Sequence, residues 1–156
     1  MQTALVQKLH RQRLPFMKSK LFFALLVVVG SQVFAARPEP QAQIDTFFST
    51  LGDKGASAAI EGLCKGTLLE SRNGSQVAAF PPALEQAIKI DGKIDRIEKI
   101  DKKLFGDSFV RIRMISYHNL GGAPLFWEFM FFKAKDEWQI YIFRFNDEID
   151  KAFSGL

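Results

Sequence analysis

Apolar residues recur at Ile44, Phe47, Phe48 and Leu51, spaced i, i+3, i+4 and i+7, with Gln43, Asp45, Thr46, Ser49 and Thr50 between them. That spacing predicts an amphipathic helix with one apolar stripe. Gly52 is expected to end it. Asp53 is expected to cap a second helix over about 54–65, with Ala56, Ala59, Ile60, Leu63 and Cys64 as a small-residue face and Gly66 as its stop. Residues 71–75, Ser-Arg-Asn-Gly-Ser, read as a turn between Leu68-Leu69 and the apolar piece 77–80, which together suggest a brief hairpin. Pro81-Pro82 fits the first turn of a third helix reaching about Ile90, with Leu84 and Ile88 inward and Asp91-Gly92 closing it.

Beyond Gly92 the pattern changes to strands. In 93–104, Ile94, Ile97 and Ile100 repeat every three residues, which suits a helix or a bulged strand, and the strand-rich context favours the bulged strand. Residues 107–118, 124–135 and 137–146 are dense in Phe, Ile, Val, Tyr and Trp and are divided by Gly106-Asp107, Gly121-Gly122 and Lys135-Asp136. A short tail helix over about 147–153 would end the chain.

Tight turns set an expected register, with His118 opposite Leu125, Ser116 opposite Trp127, Phe131 opposite Ile140 and Trp127 opposite Arg144. Alternation then divides the strands into two faces. The inward face is nearly all apolar, and its polar members Ser116, His118, Arg144 and Asn146 gather at one end. The outward face carries Phe126, Met130, Phe132, Tyr141, Phe143 and Phe145 beside Arg111, Arg113 and Glu128. So large an apolar patch exceeds what a soluble monomer usually exposes, so it predicts a homodimer interface.

Residues 17–36, MKSKLFFALLVVVGSQVFAA, have the layout of a secretory signal peptide. Lys18 and Lys20 precede an unbroken apolar run over 21–29, and Val33 and Ala35 stand at −3 and −1 of an expected cleavage before Ala36. The apolar run is too short to span a bilayer core of about 30 Å. The expected organisation is an export signal over 1–35, of which 1–16 reads as an early start or a long basic leader, then one domain over 36–156. The mature protein is expected to be periplasmic or secreted, without a stable membrane anchor. Five of the 21 Lys and Arg residues, and none of the 17 Asp and Glu, lie before Ala36. The mature part therefore carries 16 basic and 17 acidic residues, a net charge of −1 rather than +4. The basicity that would suggest nucleic acid belongs to the signal, and no nucleic-acid partner is expected.

Cys64 is the single cysteine and His118 the only histidine after residue 35. One thiol forms no disulfide within the chain, and Cys64 reads as a small buried hydrophobe. Metal-ligand spacing, a phosphate-binding glycine loop and a nucleophile elbow are all lacking, so neither metal nor cofactor is implied. Asn73-Gly-Ser matches a glycosylation sequon, which in a chain with a bacterial-looking signal is a chance match.

Three helices followed by long antiparallel strands resemble the nuclear transport factor 2-like superfamily, an α+β cone. The resemblance is most specific at GDSFVRI (106–112), GAPLFWEFMFFK (122–133) and EWQIYIFRFND (137–147), which are similar to the last three strands of small exported members. It implies helices packed on a strongly curved antiparallel sheet, and often a dimer. Enzymes of this superfamily usually work through a carboxylate inside the cone, and no Asp or Glu falls on the inward face of the last three strands under the expected register. The favoured reading is an exported, non-catalytic ligand-binding or dimeric assembly module. Its ligand would be small, apolar or acidic, and held by Ser116, His118, Trp127, Arg144 and Asn146. Phe126, Met130, Phe132, Tyr141 and Phe143 would form the dimer interface. The alternative is a cofactor-independent isomerase, dehydratase or hydrolase acting in the cone. A cystatin-type inhibitor would need a Gln-x-Val-x-Gly loop, from which residues 76–80, Gln-Val-Ala-Ala-Phe, depart.

Overall fold

The computed structural model of the chain describes residues 37–147. The export signal, its cleavage site and the tail helix fall outside them. Three helices come first, α1 (Pro40–Lys54), α2 (Ala56–Cys64) and α3 (Leu68–Asp91). Four strands follow, β1 (Ile94–Phe105), β2 (Phe109–His118), β3 (Leu125–Ala134) and β4 (Glu137–Asn146), paired antiparallel in the order β1-β2-β3-β4. The class is α+β, with the helices packed against a curled, open sheet.

Helix α1 buries Ile44, Phe47 and Leu51 and half-buries Phe48, so the i, i+3, i+4, i+7 stripe faces the sheet. It runs through Gly52 and ends at Gly55, whose φ of 84° suits glycine. Gly55, not Asp53, is then the N-cap of α2. Phe47 is the hub of the core. Its ring lies 5.9 Å from Trp127, 5.7 Å from Phe129 and 5.4 Å from Phe143, all edge-on. Such pairs add about 0.5–1.5 kcal/mol each beyond their area burial.

The expected hairpin over 67–80 is instead helical. Thr67 is the N-cap of α3 and accepts from the Glu70 amide, while the Glu70 carboxylate accepts from the Gly66 amide at 2.7 Å. This reciprocal arrangement starts the helix ahead of the Asn-Gly pair. Asn73 (φ −132°, ψ 41°) then makes a kink rather than a turn. Pro81 and Pro82 lie inside the helix. They remove two helical donors and so free the carbonyls of residues 77 and 78, the second of which is exposed. What holds this stretch helical is its apolar face, with Phe80 and Leu84 buried and Val77, Ala87 and Ile88 packed against the core.

The sheet departs from the expected register twice, with different consequences. Between β2 and β3, Ser116 pairs with Leu125 and Met114 with Trp127, two residues off. A shift of two keeps every side chain on its face, so the inward Val110, Ile112, Trp127, Phe129 and Phe131 are all buried. Between β3 and β4, Phe131 pairs with Ile140 as expected, but a bulge makes Met130 pair with Ile142 and Trp127 with Phe145. Tyr141 is the extra residue. From there on β4 is turned over, so Phe143 and Phe145 face the helices while Arg144 and Asn146 face outward. Phe143 is 1% exposed and packs on Phe47, Phe80 and Phe129. Bulges bend a strand and increase its twist, and here the turned-over end of β4 packs against α3, where Phe143 meets Phe80.

Strand β1 carries its own irregularities, between Ile94 and Arg96 and between Lys99 and Asp101. These account for the three-residue spacing of its isoleucines, because an extra residue in each interval returns Ile94, Ile97 and Ile100 to similar burial.

Candidate functional site

Three of the five residues expected at a polar cavity mouth meet, and they meet one another. Trp127 Nε1 donates to Ser116 Oγ at 2.8 Å, Ser116 Oγ lies 3.3 Å from His118 Nε2, and His118 Nδ1 lies 2.8 Å from the Gly92 carbonyl oxygen. A carbonyl only accepts, so Nδ1 carries the hydrogen. In the neutral ring Nε2 is then the acceptor, and the Ser116 hydroxyl donates to it. The run has one direction, from indole to hydroxyl to imidazole to backbone, and every member is satisfied.

A Ser–His contact at this distance is also what a nucleophile and its base require. Here Ser116 is fully buried, its oxygen is already engaged by the indole, and the imidazole is oriented by a carbonyl rather than a carboxylate. The arrangement braces β2, β3 and the turn after α3. Gly92 itself (φ 95°) leaves no room for a Cβ against Asn119 and Leu120.

Arg144 and Asn146 do not join this group, because the β4 bulge places them on the other face. Arg144 Nη1 lies 3.6 Å from Glu128 Oε1 with its side chain 65% exposed, and Asn146 pairs opposite Phe126. The one-sided polar mouth expected from the sequence is therefore split between two faces.

The open space lies elsewhere. A pocket of about 490 Å³ opens where the end of α1, the start of α2, the last turns of α3 and the start of β1 converge. Its apolar lining is Phe48, Leu51, Ala56, Ile88, Ile94 and Ile97. Glu85, Lys89, Lys93, Asp95 and Arg96 contribute the charged part. Arg96 is committed to Glu98 and to the face of Tyr117, 4.1 Å away. Lys89 and Lys93 make no ion pair among the described residues, and neither do Glu85 and Asp95, so charges of both signs border the opening. The apolar helix stripes read from the sequence include Phe48, Leu51, Ala56 and Ile88, but no motif marks the opening they border.

Outward, the paired residues Asp101, Arg113, Glu128 and Arg144 form a row across all four strands with alternating charge. Arg113 holds both carboxylate oxygens of Asp101, at 3.1 and 2.6 Å, and Arg111 lies 3.5 Å away. The hydrogen bonds from Arg113 lead the causes that hold the Asp101 carboxyl below its usual range, and Arg113 is correspondingly raised. Beside this row sit Phe109, Phe132 and Tyr141, with Phe109–Phe132 ring centroids 4.8 Å apart. Met130, Phe132 and Tyr141 are half-buried, while Phe126 is 5% exposed. Phe143 is removed from this patch by the bulge. Cys64 is fully buried in α2, and burial pushes its thiol up to about 12. Among the described residues no cluster of His, Cys, Asp and Glu is placed to hold a metal ion, and no helix is long and apolar enough to cross a membrane.

No protein-family model and no curated protein matches the sequence. Solved structures do. A Campylobacter jejuni protein provisionally described as an NTF2-like transpeptidase superposes with a TM-score of 0.51 at 12% identity, covering 67% of this chain and 99% of its own. A Thiobacillus denitrificans protein provisionally described as a calcium/calmodulin-dependent protein kinase type II association domain gives 0.50 at 8% identity, covering 72% and 98%. At such identities the likeness is one of fold, that of nuclear transport factor 2-like domains.

Proposed function

We propose that this chain, a nuclear transport factor 2-like domain by fold, is an exported binding module that holds a small, mainly apolar ligand without transforming it. The single observation that carries the reading is the apolar pocket of about 490 Å³ beside α1, α3 and β1, a size suited to a small molecule. Its walls supply burial, and Lys89 and Lys93, among charges of both signs at its border, can meet a polar head. The buried Ser–His pair is internally satisfied, which supports binding over catalysis. Export rests on the signal-peptide layout of residues 17–36, and Arg37 lies two residues beyond the expected cleavage. Its guanidinium donates to the carbonyls of Leu63 and Lys65 at the end of α2. A mature N terminus at Ala36 would thus be held on the domain.

Titration with the fluorescent apolar anion anilinonaphthalene sulfonate, together with native mass spectrometry of the purified protein, tests the pocket. Ile97→Glu should abolish dye binding, and Arg144→Ala on the far face should leave it unchanged. Unaltered binding by Ile97→Glu removes the pocket from the reading.

A second reading, assembly as a homodimer, is favoured by one specific observation, the outward cluster of Phe109, Phe132 and Tyr141 beside the charge row. One of the fold neighbours is described as an association domain, in keeping with this reading.

A further inference from the structure

We infer that the open edge of β1 is a docking strand for an extended acidic polypeptide segment. Strand β1 stands at the end of the sheet and, among the described residues, pairs only with β2. It is 12 residues long, and residues 95, 96, 98, 99 and 102–105 are exposed. A long edge presents a row of backbone donors and acceptors to any incoming strand.

The charges along this edge select the strand. Of the three carboxylates on β1, Asp95 makes no ion pair among the described residues, and the other two are neutralised at home, which leaves one acid against three lysines. Glu98 is held by Arg96 and accepts from the Tyr117 hydroxyl at 3.3 Å, and Asp101 is held by Arg113 at 2.6 Å. Among the described residues the lysines are not neutralised. Lys99 reaches only the neutral Gln41 side chain, at 3.4 Å, Lys103 lies over the Phe105 ring, and Lys102 makes no ion pair among the described residues. Lys99 and Lys102 fall on the inward side of the strand and Lys103 on the outward side, so cations flank the edge on both faces. Leu104 and Phe105, 63% and 42% exposed, stand next to them as apolar anchors.

A second copy of β1 carries the same lysine excess, and any register that sets residues 99–103 against one another opposes like charges, which destabilises pairing. An acidic strand meets the opposite situation. Its carboxylates face unneutralised lysines while its backbone completes the edge. The inference is independent of the apolar pocket.

The test uses the purified chain and two synthetic peptides of about ten residues, one alternating Glu with Val and one alternating Lys with Val. Fluorescence anisotropy gives affinity, and amide hydrogen exchange shows where the peptide lies. The Glu-Val peptide should bind and slow exchange in β1, weakening as salt is raised, while the Lys-Val peptide should not bind. The triple variant Lys99→Glu/Lys102→Glu/Lys103→Glu, at exposed positions, should keep the wild-type circular dichroism and melting curve. It should bind the Glu-Val peptide roughly tenfold or more weakly and gain affinity for the Lys-Val peptide. Equal binding of both peptides by wild type, no binding of either, or slowed exchange at β4 instead of β1 overturns the proposal. In the second case the lysines serve only to keep the edge unpaired.

Discussion

Replacing Ser116 by alanine should destabilise the domain far more than the loss of one hydroxyl suggests. The hydroxyl joins two groups that have nowhere else to turn, the Trp127 indole N–H at 2.8 Å and the His118 Nε2 at 3.3 Å, in a region where Trp127 is 1% and Ser116 0% exposed. Alanine nearly preserves the shape, so cavity formation is a minor contribution. The effect comes from two orphaned polar atoms, each costing about 1–3 kcal/mol when buried without a partner. After crediting the relief of no longer burying the hydroxyl itself, the net loss should be about 2–4 kcal/mol. That is a large share of the 5–15 kcal/mol typical of a domain.

Urea denaturation followed by far-ultraviolet circular dichroism measures it directly. The double variant Ser116→Ala/Trp127→Phe then separates orphaning from general damage, because removing the indole N–H as well eliminates one of the two stranded atoms. The two changes should be less than additive by about 1–2 kcal/mol. A Ser116→Ala loss under about 0.5 kcal/mol, or strict additivity in the cycle, would refute the claim that these groups form a closed brace.

Three further outcomes are expected. Phe47→Ala should cost about 3–5 kcal/mol in the same denaturation assay, since it empties the centre of a ring cluster shared by both layers. Phe132→Glu should shift a dimer to monomer in sedimentation velocity with the fold retained, whereas Phe143→Glu should unfold the chain; a wild-type monomer would end the dimer reading. Asp101 is depressed by Arg113, so it stabilises the fold above its unfolded value of about 3.9 and that contribution fades as pH falls through its lower folded value. Melting temperature should therefore drop more steeply below about pH 4 in wild type than in Asp101→Asn, and parallel curves would show the pair contributes nothing.

Much of the architecture was legible because it rests on periodicity. Ile44, Phe47, Phe48 and Leu51 could only be one face of a helix, and the aromatic runs after residue 107 could only be strands. Helix α3 was harder because Asn73-Gly74 and Pro81-Pro82 are strong local breakers. The spacing of Val77, Phe80, Leu84 and Ile88 continues straight through them, and burial of that stripe outweighs two missing donors in an exposed turn. There a tertiary demand overrules local punctuation. The β2–β3 register was misjudged by two residues without consequence, because alternation has a period of two.

The β4 bulge is the opposite case, and it splits the expected polar mouth between two faces. One extra residue at Tyr141 reverses the faces of 143–146, and nothing in EWQIYIFRFN distinguishes a bulged from a regular strand, since both faces are apolar enough to be buried. The demand comes from outside the strand. The space framed by Phe47, Phe80 and Phe129 needs a large ring, which Phe143 fills and Arg144 could not fill without burying an unpaired guanidinium. Once Phe143 turns inward, Arg144 must turn outward, where Glu128 receives it. Of the five residues expected at the mouth, the interior keeps Ser116, His118 and Trp127, which satisfy one another and leave nothing to orient a ligand. Charged groups able to meet a ligand occur instead where β1 parts from the helices, at Lys89 and Lys93, so a binding reading of this fold belongs at that opening rather than at the centre of the cone.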